Sequence, residues 1–172
     1  HRFDDGGTHW AGYKKPVSLP ITLTLIEPGK PARLKGHAFL GICETICIPV
    51  TAEFDVPIDN SPSDALSRAM ISTAFEQLPG KTKMNFGANS ASRSGDVIKL
   101  VVDLPADDPD TDVFVAGNGS VAFGMAKLEK RDSNQAVFSV PVTSGKHEKS
   151  MVLNYTLVQG KQAVAGTIDV HQ

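Results

Sequence analysis

The chain has 172 residues, 41% hydrophobic and 21% charged, with a formal net charge of −2. That length holds one large domain or two small ones, and the near-neutral charge supplies no basic footprint for nucleic acid. The 6% aromatic content, 15 Gly and 11 Pro suit an all-β protein with many turns, and no apolar run approaches the roughly 20 residues that a membrane-spanning helix needs.

Residues His1 to Lys15 scatter Phe3, His9, Trp10 and Tyr13 among Gly, Asp and Thr without a period, so a loop is expected there. The chain opens on His rather than Met and shows no signal-peptide pattern, which reads as a processed or excised soluble piece. From Val17 to Ile26 the residues Val17, Leu19, Ile21, Leu23 and Leu25 alternate with Ser18, Pro20, Thr22 and Thr24. This predicts a half-buried strand, with Pro20 at an edge or bulge. Glu27-Pro28-Gly29-Lys30-Pro31 then makes a strong turn.

The only two cysteines stand next, in Gly41-Ile42-Cys43-Glu44-Thr45-Ile46-Cys47-Ile48-Pro49-Val50. Before them Leu34, Ala38, Leu40 and Ile42 share one phase, with Arg33, Lys35, His37 and Phe39 on the other. After them Ile48, Val50, Ala52, Phe54 and Val56 alternate with Pro49, Thr51, Glu53 and Asp55. Two period-two runs around a short polar stretch predict a β-hairpin with a Glu44-Thr45-Ile46 loop. One register keeps both apolar phases on one face: Ile42 opposite Ile48, Leu40 opposite Val50, Ala38 opposite Ala52, Leu34 opposite Val56. A slip of one residue would turn one set outward. The same register sets Cys43 across from Cys47 on the other face. Opposed Cα atoms lie roughly 4.5–5.5 Å apart, within disulfide reach.

A bridge closing about five residues contributes about 2 kcal/mol, near the low end for disulfides. The spacing therefore favours redox use over pure stabilisation, with a structural bridge and metal binding as the other readings. Exchange requires a thiolate attacking a disulfide sulfur. Little in the sequence would lower either thiol pKa; Glu44 beside Cys43 disfavours the anion. His37 shares the cysteine phase but stands about 20 Å away along an extended strand, where its expected role is a cross-strand pair with Glu53.

The run from Phe39 to Val50 resembles the cysteine motif of the N-terminal periplasmic domain of the thiol–disulfide interchange protein DsbD. It is most similar to the alphaproteobacterial and copper-sensitivity-suppressor branch, with its Cys-x-x-x-Cys-Ile-Pro. Trp10-Ala-Gly-Tyr13 and Val17-Ser-Leu-Pro-Ile21 also resemble the segment preceding that motif, so the likeness spans roughly residues 1 to 57. The enterobacterial members space their cysteines more widely, and this chain looks to begin without the family domain's first strands. The resemblance implies an immunoglobulin-like sandwich that passes electrons from a membrane-embedded donor of the DsbD type to thioredoxin-fold periplasmic proteins. It implies a periplasmic protein-disulfide reductase with Cys43 and Cys47 as the redox pair and no cofactor. The associated processes would be cytochrome c biogenesis and copper tolerance. Family members also carry an aromatic residue that shields the disulfide, and Phe3 or Trp10 is the candidate here.

Beyond the hairpin, Asn60-Ser-Pro-Ser-Asp64 reads as a helix start, followed by a helix from about Ser63 to Leu78 with Leu66, Ala69, Met70, Thr73, Ala74 and Gln77 near one face. Lys81 to Gly95, rich in Asn, Ser and Gly, reads as a linker. Alternation returns at Ile98–Leu104, Ala136–Val142, Met151–Leu157 and Ala163–Val170. A hairpin-type turn at Gly117-Asn-Gly119 stands between Val113–Val115 and Val121–Phe123. The expected fold is all-β: two immunoglobulin-like β-sandwich lobes, over residues 1–59 and 96–172, joined by one helix and a linker over 60–95. The acids from Asp107 to Asp112 fit no EF-hand spacing and read as a solvated turn. The competing functions are copper or zinc handling by the two thiolates, with His9 or His37 folding back to complete the site, and a non-catalytic binding module with a structural disulfide.

Overall fold

A computed structural model describes residues 1–5, 8–43, 47–58, 63–117, 121–145 and 151–172, with the backbone alone at 4, 5, 8 and 9. The chain divides into two units, one formed by His1–Val17 with Gln77–Gln172 and the other by Ser18–Glu76. At the N-terminus the expected loop is instead a short antiparallel pair, β1 (Arg2–Asp5) and β2 (Thr8–Ala11), with Phe3 opposite Trp10. Polar and glycine-rich residues gave no alternation to betray it. A cross-strand aromatic pair supplies the contact instead: the two rings stack with centroids 6.2 Å apart.

Residues 17–26 carry the predicted alternation but join no sheet, and Leu19, Ile21, Leu23 and Ile26 lie exposed. Alternation makes a segment competent for a ladder; the ladder itself needs a partner edge, and the sheet that follows is built of only two strands. The turn is as expected. Lys30 N–H donates to the Glu27 carbonyl, and Gly29 takes φ 86°, a left-handed value that suits glycine after Pro28.

The cysteine hairpin forms in the predicted register. Strand β3 (Ala32–Cys43) runs antiparallel to β4 (Cys47–Ile58), pairing Leu34 with Val56, Ala38 with Ala52, Leu40 with Val50 and Ile42 with Ile48. Its loop, 44–46, lies outside the described residues. Gly36 faces Phe54, whose ring lies so close that a Cβ at position 36 would stand 2.6 Å from it. On the opposite, polar face Asp55 accepts from Arg33 Nε at 2.9 Å and lies 3.3 Å from Lys35 Nζ.

Helix α1 (Ala65–Glu76) occupies the predicted span. Asp64 caps it: the Ser67 N–H and hydroxyl donate to its carboxylate at 2.9 and 2.6 Å. These bonds hold the Asp64 carboxyl below its ordinary pKa. The apolar face read from the sequence stays largely open, with Leu66, Ala69 and Met70 exposed and Ala74 buried.

The rest of the chain builds one nine-stranded sheet from β5 (Gly80–Lys81), β6 (Gly87–Ser94), β7 (Val97–Asp103), β8 (Thr111–Ala116), β9 (Val121–Phe123), β10 (Lys127–Asp132), β11 (Gln135–Gly145), β12 (Met151–Gln159) and β13 (Gln162–His171). The strand order is β10-β11-β7-β6-β13-β12-β8, with β5 beside β13 and β9 beside β11. Ile98, Leu100 and Val102 of β7 and Phe138 of β11 share one buried cluster with Leu153 and Leu157 of β12 and Val113 of β8. Strands far apart in the order thus meet across a common core, so the sheet closes on itself as a sandwich. The fold is all-β and immunoglobulin-like.

Two expectations are corrected here. The stretch 81–95, read as a linker, contains β6, which lies inside the sheet between β7 and β13. Its small residues Gly87, Ala88 and Ala91 leave room for a neighbour: Tyr155 reaches in, and Ala88 N–H donates to its hydroxyl at 2.8 Å where β6 bulges. Strands β8 and β9 do not pair with each other across the Gly117 turn. Strand β8 bonds β12 and β9 bonds β11, so the chain crosses between sheet edges there; residues 118–120 lie outside the described residues. The turn at Gln159 and Gly160 does connect β12 to β13 directly, with Gly160 at φ 55°.

Candidate redox site

The hairpin delivers its two cysteines to one another. Cys43 and Cys47 are the last pair of the ladder before the loop, and their sulfurs are bonded at 2.08 Å with Cα atoms 4.0 Å apart. Both residues are exposed. Side chains alternate across a strand, so the disulfide stands on the face that carries Arg33, Lys35, His37 and Phe39, away from the apolar stripe. That placement follows from the two in-phase alternations, because the only register that joins the apolar stripes also aligns the thiols.

The neighbours of the disulfide on its own face are sparse. Gly41 and Pro49 form the adjacent same-face pair, and Phe39 and Thr51 the next. A Cβ at Gly41 would stand 4.0 Å from the Cys43 sulfur, so a glycine there leaves that side of the sulfur bare. His37 stands opposite Glu53 in the ladder, the register position expected for it. Phe39 and Gly41 were not singled out as site residues. The available signal was an aromatic residue in an otherwise charged strand phase.

Phe3 and Trp10 stack on each other within β1 and β2. Glu44 lies outside the described residues, as does the His9 side chain. The metal reading asks for two thiolates; here both sulfurs are bound to each other, and among the described residues no three His, Cys, Asp or Glu side chains gather as a metal site. In the acidic turn, Asp107 pairs with Arg131 and Asp112 with Arg2. A shallow cavity of about 410 Å³ bounded by Lys81, Thr82, Phe86 and Gln162 has no histidine, cysteine or carboxylate in its lining.

Fold and site together define an all-β, immunoglobulin-like protein with an exposed cross-strand disulfide at the end of a hairpin. Its structure is similar to that of the N-terminal periplasmic domain of ScsB from Proteus mirabilis, with a TM-score of 0.62 and 16% identity. The match covers 81% of this chain and 58% of that one, so the chain spans less than two thirds of its structural neighbour. No protein-family model matches the sequence, and no curated protein matches it. At that identity the likeness establishes the fold. Among the described residues no helix is long and apolar enough to cross a membrane.

Proposed function

We propose that the protein performs thiol–disulfide interchange, cycling Cys43–Cys47 between disulfide and dithiol against a thioredoxin-like partner in the periplasm. The observation that carries this reading is the disulfide's position: it closes an exposed hairpin end, on the side away from the apolar stripe, where a protein thiol has access. A bridge serving only stability would gain more by closing a long loop. The fold likeness to a periplasmic domain supports the compartment. The sequence resemblance described above supports the electron route, from a membrane-embedded donor to thioredoxin-fold acceptors.

In the exchange a partner thiolate attacks one sulfur of the pair, a mixed disulfide forms, and the other cysteine leaves as a thiolate that takes a proton from water. The partner's second thiolate then attacks the mixed disulfide. The partner leaves oxidised by two electrons and the pair reduced by two. The direction reverses when the pair is the reductant. The shield that the resemblance implies belongs to the same proposal: Trp10→Ala or Phe3→Ala should raise the rate at which a small thiol reduces the pair.

Trapping tests the exchange. Cys43→Ser and Cys47→Ser, each incubated with a thioredoxin-fold protein that lacks its resolving cysteine and carries its remaining thiol as the mixed disulfide with thionitrobenzoate, should between them give one covalent complex, releasing thionitrobenzoate, that dithiothreitol dissolves. The double serine variant should give none. If neither single variant is captured while both remain folded and alkylatable, interchange is not the function.

A further inference from the structure

Along the disulfide's face the hairpin is a ladder of like-phased pairs: Cys43–Cys47, Gly41–Pro49, Phe39–Thr51, His37–Glu53, Lys35–Asp55. The last two rungs are charged, as a solvent-facing strand phase should be. The Phe39 rung is not. Its phenyl group is 70% exposed on the polar side of an amphipathic hairpin. Nothing in the hairpin's own packing requires it there, since the apolar stripe occupies the other face.

Chemistry settles which partner must lie over this face. Attack on a disulfide brings the incoming sulfur to bonding distance, so any protein that exchanges with Cys43–Cys47 has to seat its thiol-bearing loop against the same surface. A weak redox encounter buries up to about 600 Å² on each side, a patch about 28 Å across. Phe39 lies two rungs from the cysteines, about 13 Å along the strand. A footprint of that size centred on the disulfide has a radius of about 14 Å and so reaches Phe39. Between them Gly41 and Pro49 present a low, rigid floor without a long polar side chain to desolvate. Apolar centre and charged border are the ordinary layout of a protein–protein contact.

We infer that Phe39, on the Gly41–Pro49 floor, is the specificity-determining contact by which this face receives the thiol-bearing loop of a dithiol protein, an inference that rests on the interchange reading. The covalent step is unchanged from that reading. A partner thiolate bonds to one cysteine sulfur, the Cys43–Cys47 bond breaks, and the departing thiolate is protonated by water. The partner's second thiolate then attacks the partner's own sulfur in the mixed disulfide and the remaining cysteine leaves as a thiolate, so that two electrons pass in all. Phe39 takes no part in bond making; it holds the partner in place.

The test compares two reductants on the oxidised full chain: dithiothreitol, which needs no docking surface, and reduced thioredoxin, a protein dithiol. Phe39→Asp should slow reduction by thioredoxin by roughly tenfold or more while the dithiothreitol rate stays within about twofold of the wild type. Phe39→Leu, apolar but without the ring, should recover most of the thioredoxin rate. Equal rates for wild type and Phe39→Asp with thioredoxin would overturn the inference. So would an equal slowing with both reductants, which would place the effect on the disulfide itself. If wild type is reduced by dithiothreitol and never by thioredoxin, the interchange reading fails first, and the docking role with it.

Discussion

In the nine-stranded sheet Leu100, Phe138 and Leu157 are sealed from solvent, at 0%, 1% and 0% exposure, whereas in the β3–β4 hairpin Leu40, Ile42 and Ile48 stand at 51%, 61% and 55%. Both regions use strands that alternate apolar and polar residues. In the first, strands distant in the order fold over one another and share a core. In the second, among the described residues, two strands pair only with each other, and an isolated two-stranded ribbon is marginal in water. A covalent bond ties the ribbon at its Cys43–Cys47 end. Packed stability thus resides in the sheet, and the proposed exchange site in the hairpin, where opening the disulfide would disturb few packed contacts.

The largest test of that division is a core deletion. Phe138→Ala should cost about 3–5 kcal/mol in chemical denaturation, because it empties a sealed site in the common core. Leu40→Ala, on the open hairpin face, should cost under about 1 kcal/mol and leave disulfide reduction intact. Comparable losses at the two positions would break the comparison.

Next in size is the bridge. Reducing Cys43–Cys47 should remove about 2 kcal/mol of local stability by loop entropy. Hydrogen exchange should quicken in β3 and β4 and stay unchanged in β7, β11 and β12. Faster exchange throughout the sheet would show that the disulfide supports the whole molecule.

A smaller effect sharpens the account of β6. Tyr155→Phe removes the hydroxyl that receives the Ala88 N–H where β6 bulges. The expected loss is about 1–2 kcal/mol, confined to the larger sheet and read as a lower denaturation midpoint without a change in thiol exchange.

The smallest effect is a pH dependence at α1. Hydrogen bonds from Ser67 lower the Asp64 pKa in the folded helix. A depressed carboxyl contributes stability above its unfolded pKa and loses it as pH falls through the folded one. Helical signal should therefore weaken in acid beginning below the unfolded value of 3.8, and Asp64→Asn should flatten that part of the profile. A profile identical in the two proteins would remove Asp64 as the cause.

Sequence made the hairpin legible down to single residue pairs because two alternating runs face each other across a short loop and only one phase relation buries neither stripe outward. Strand β12 and its turn into β13 were legible for the same reason. Strand β6 was not: Gly87-Ala-Asn-Ser-Ala-Ser-Arg-Ser94 offers little apolar alternation, and its place in the sheet comes from neighbours on both sides and from the Tyr155 hydroxyl. Residues 17–26 erred in the other direction. Their alternation is clean, yet pattern alone supplies no edge to bond. Phe3 and Trp10 were visible as aromatics, while the strand pair that stacks them was not. At the site, the cysteines announced themselves by spacing, and Phe39 only by breaking the polar phase around it.

The central claim is that the Cys43–Cys47 bond is made to be exchanged. Its most direct test is the equilibrium of the pair with thioredoxin and glutathione redox buffers, quenched by alkylation and counted by mass. The account predicts full conversion between a disulfide and two alkylated thiols in the native protein, with a midpoint above about −300 mV. A pair that stays oxidised at that poise, and yields only when the protein is unfolded, would contradict it.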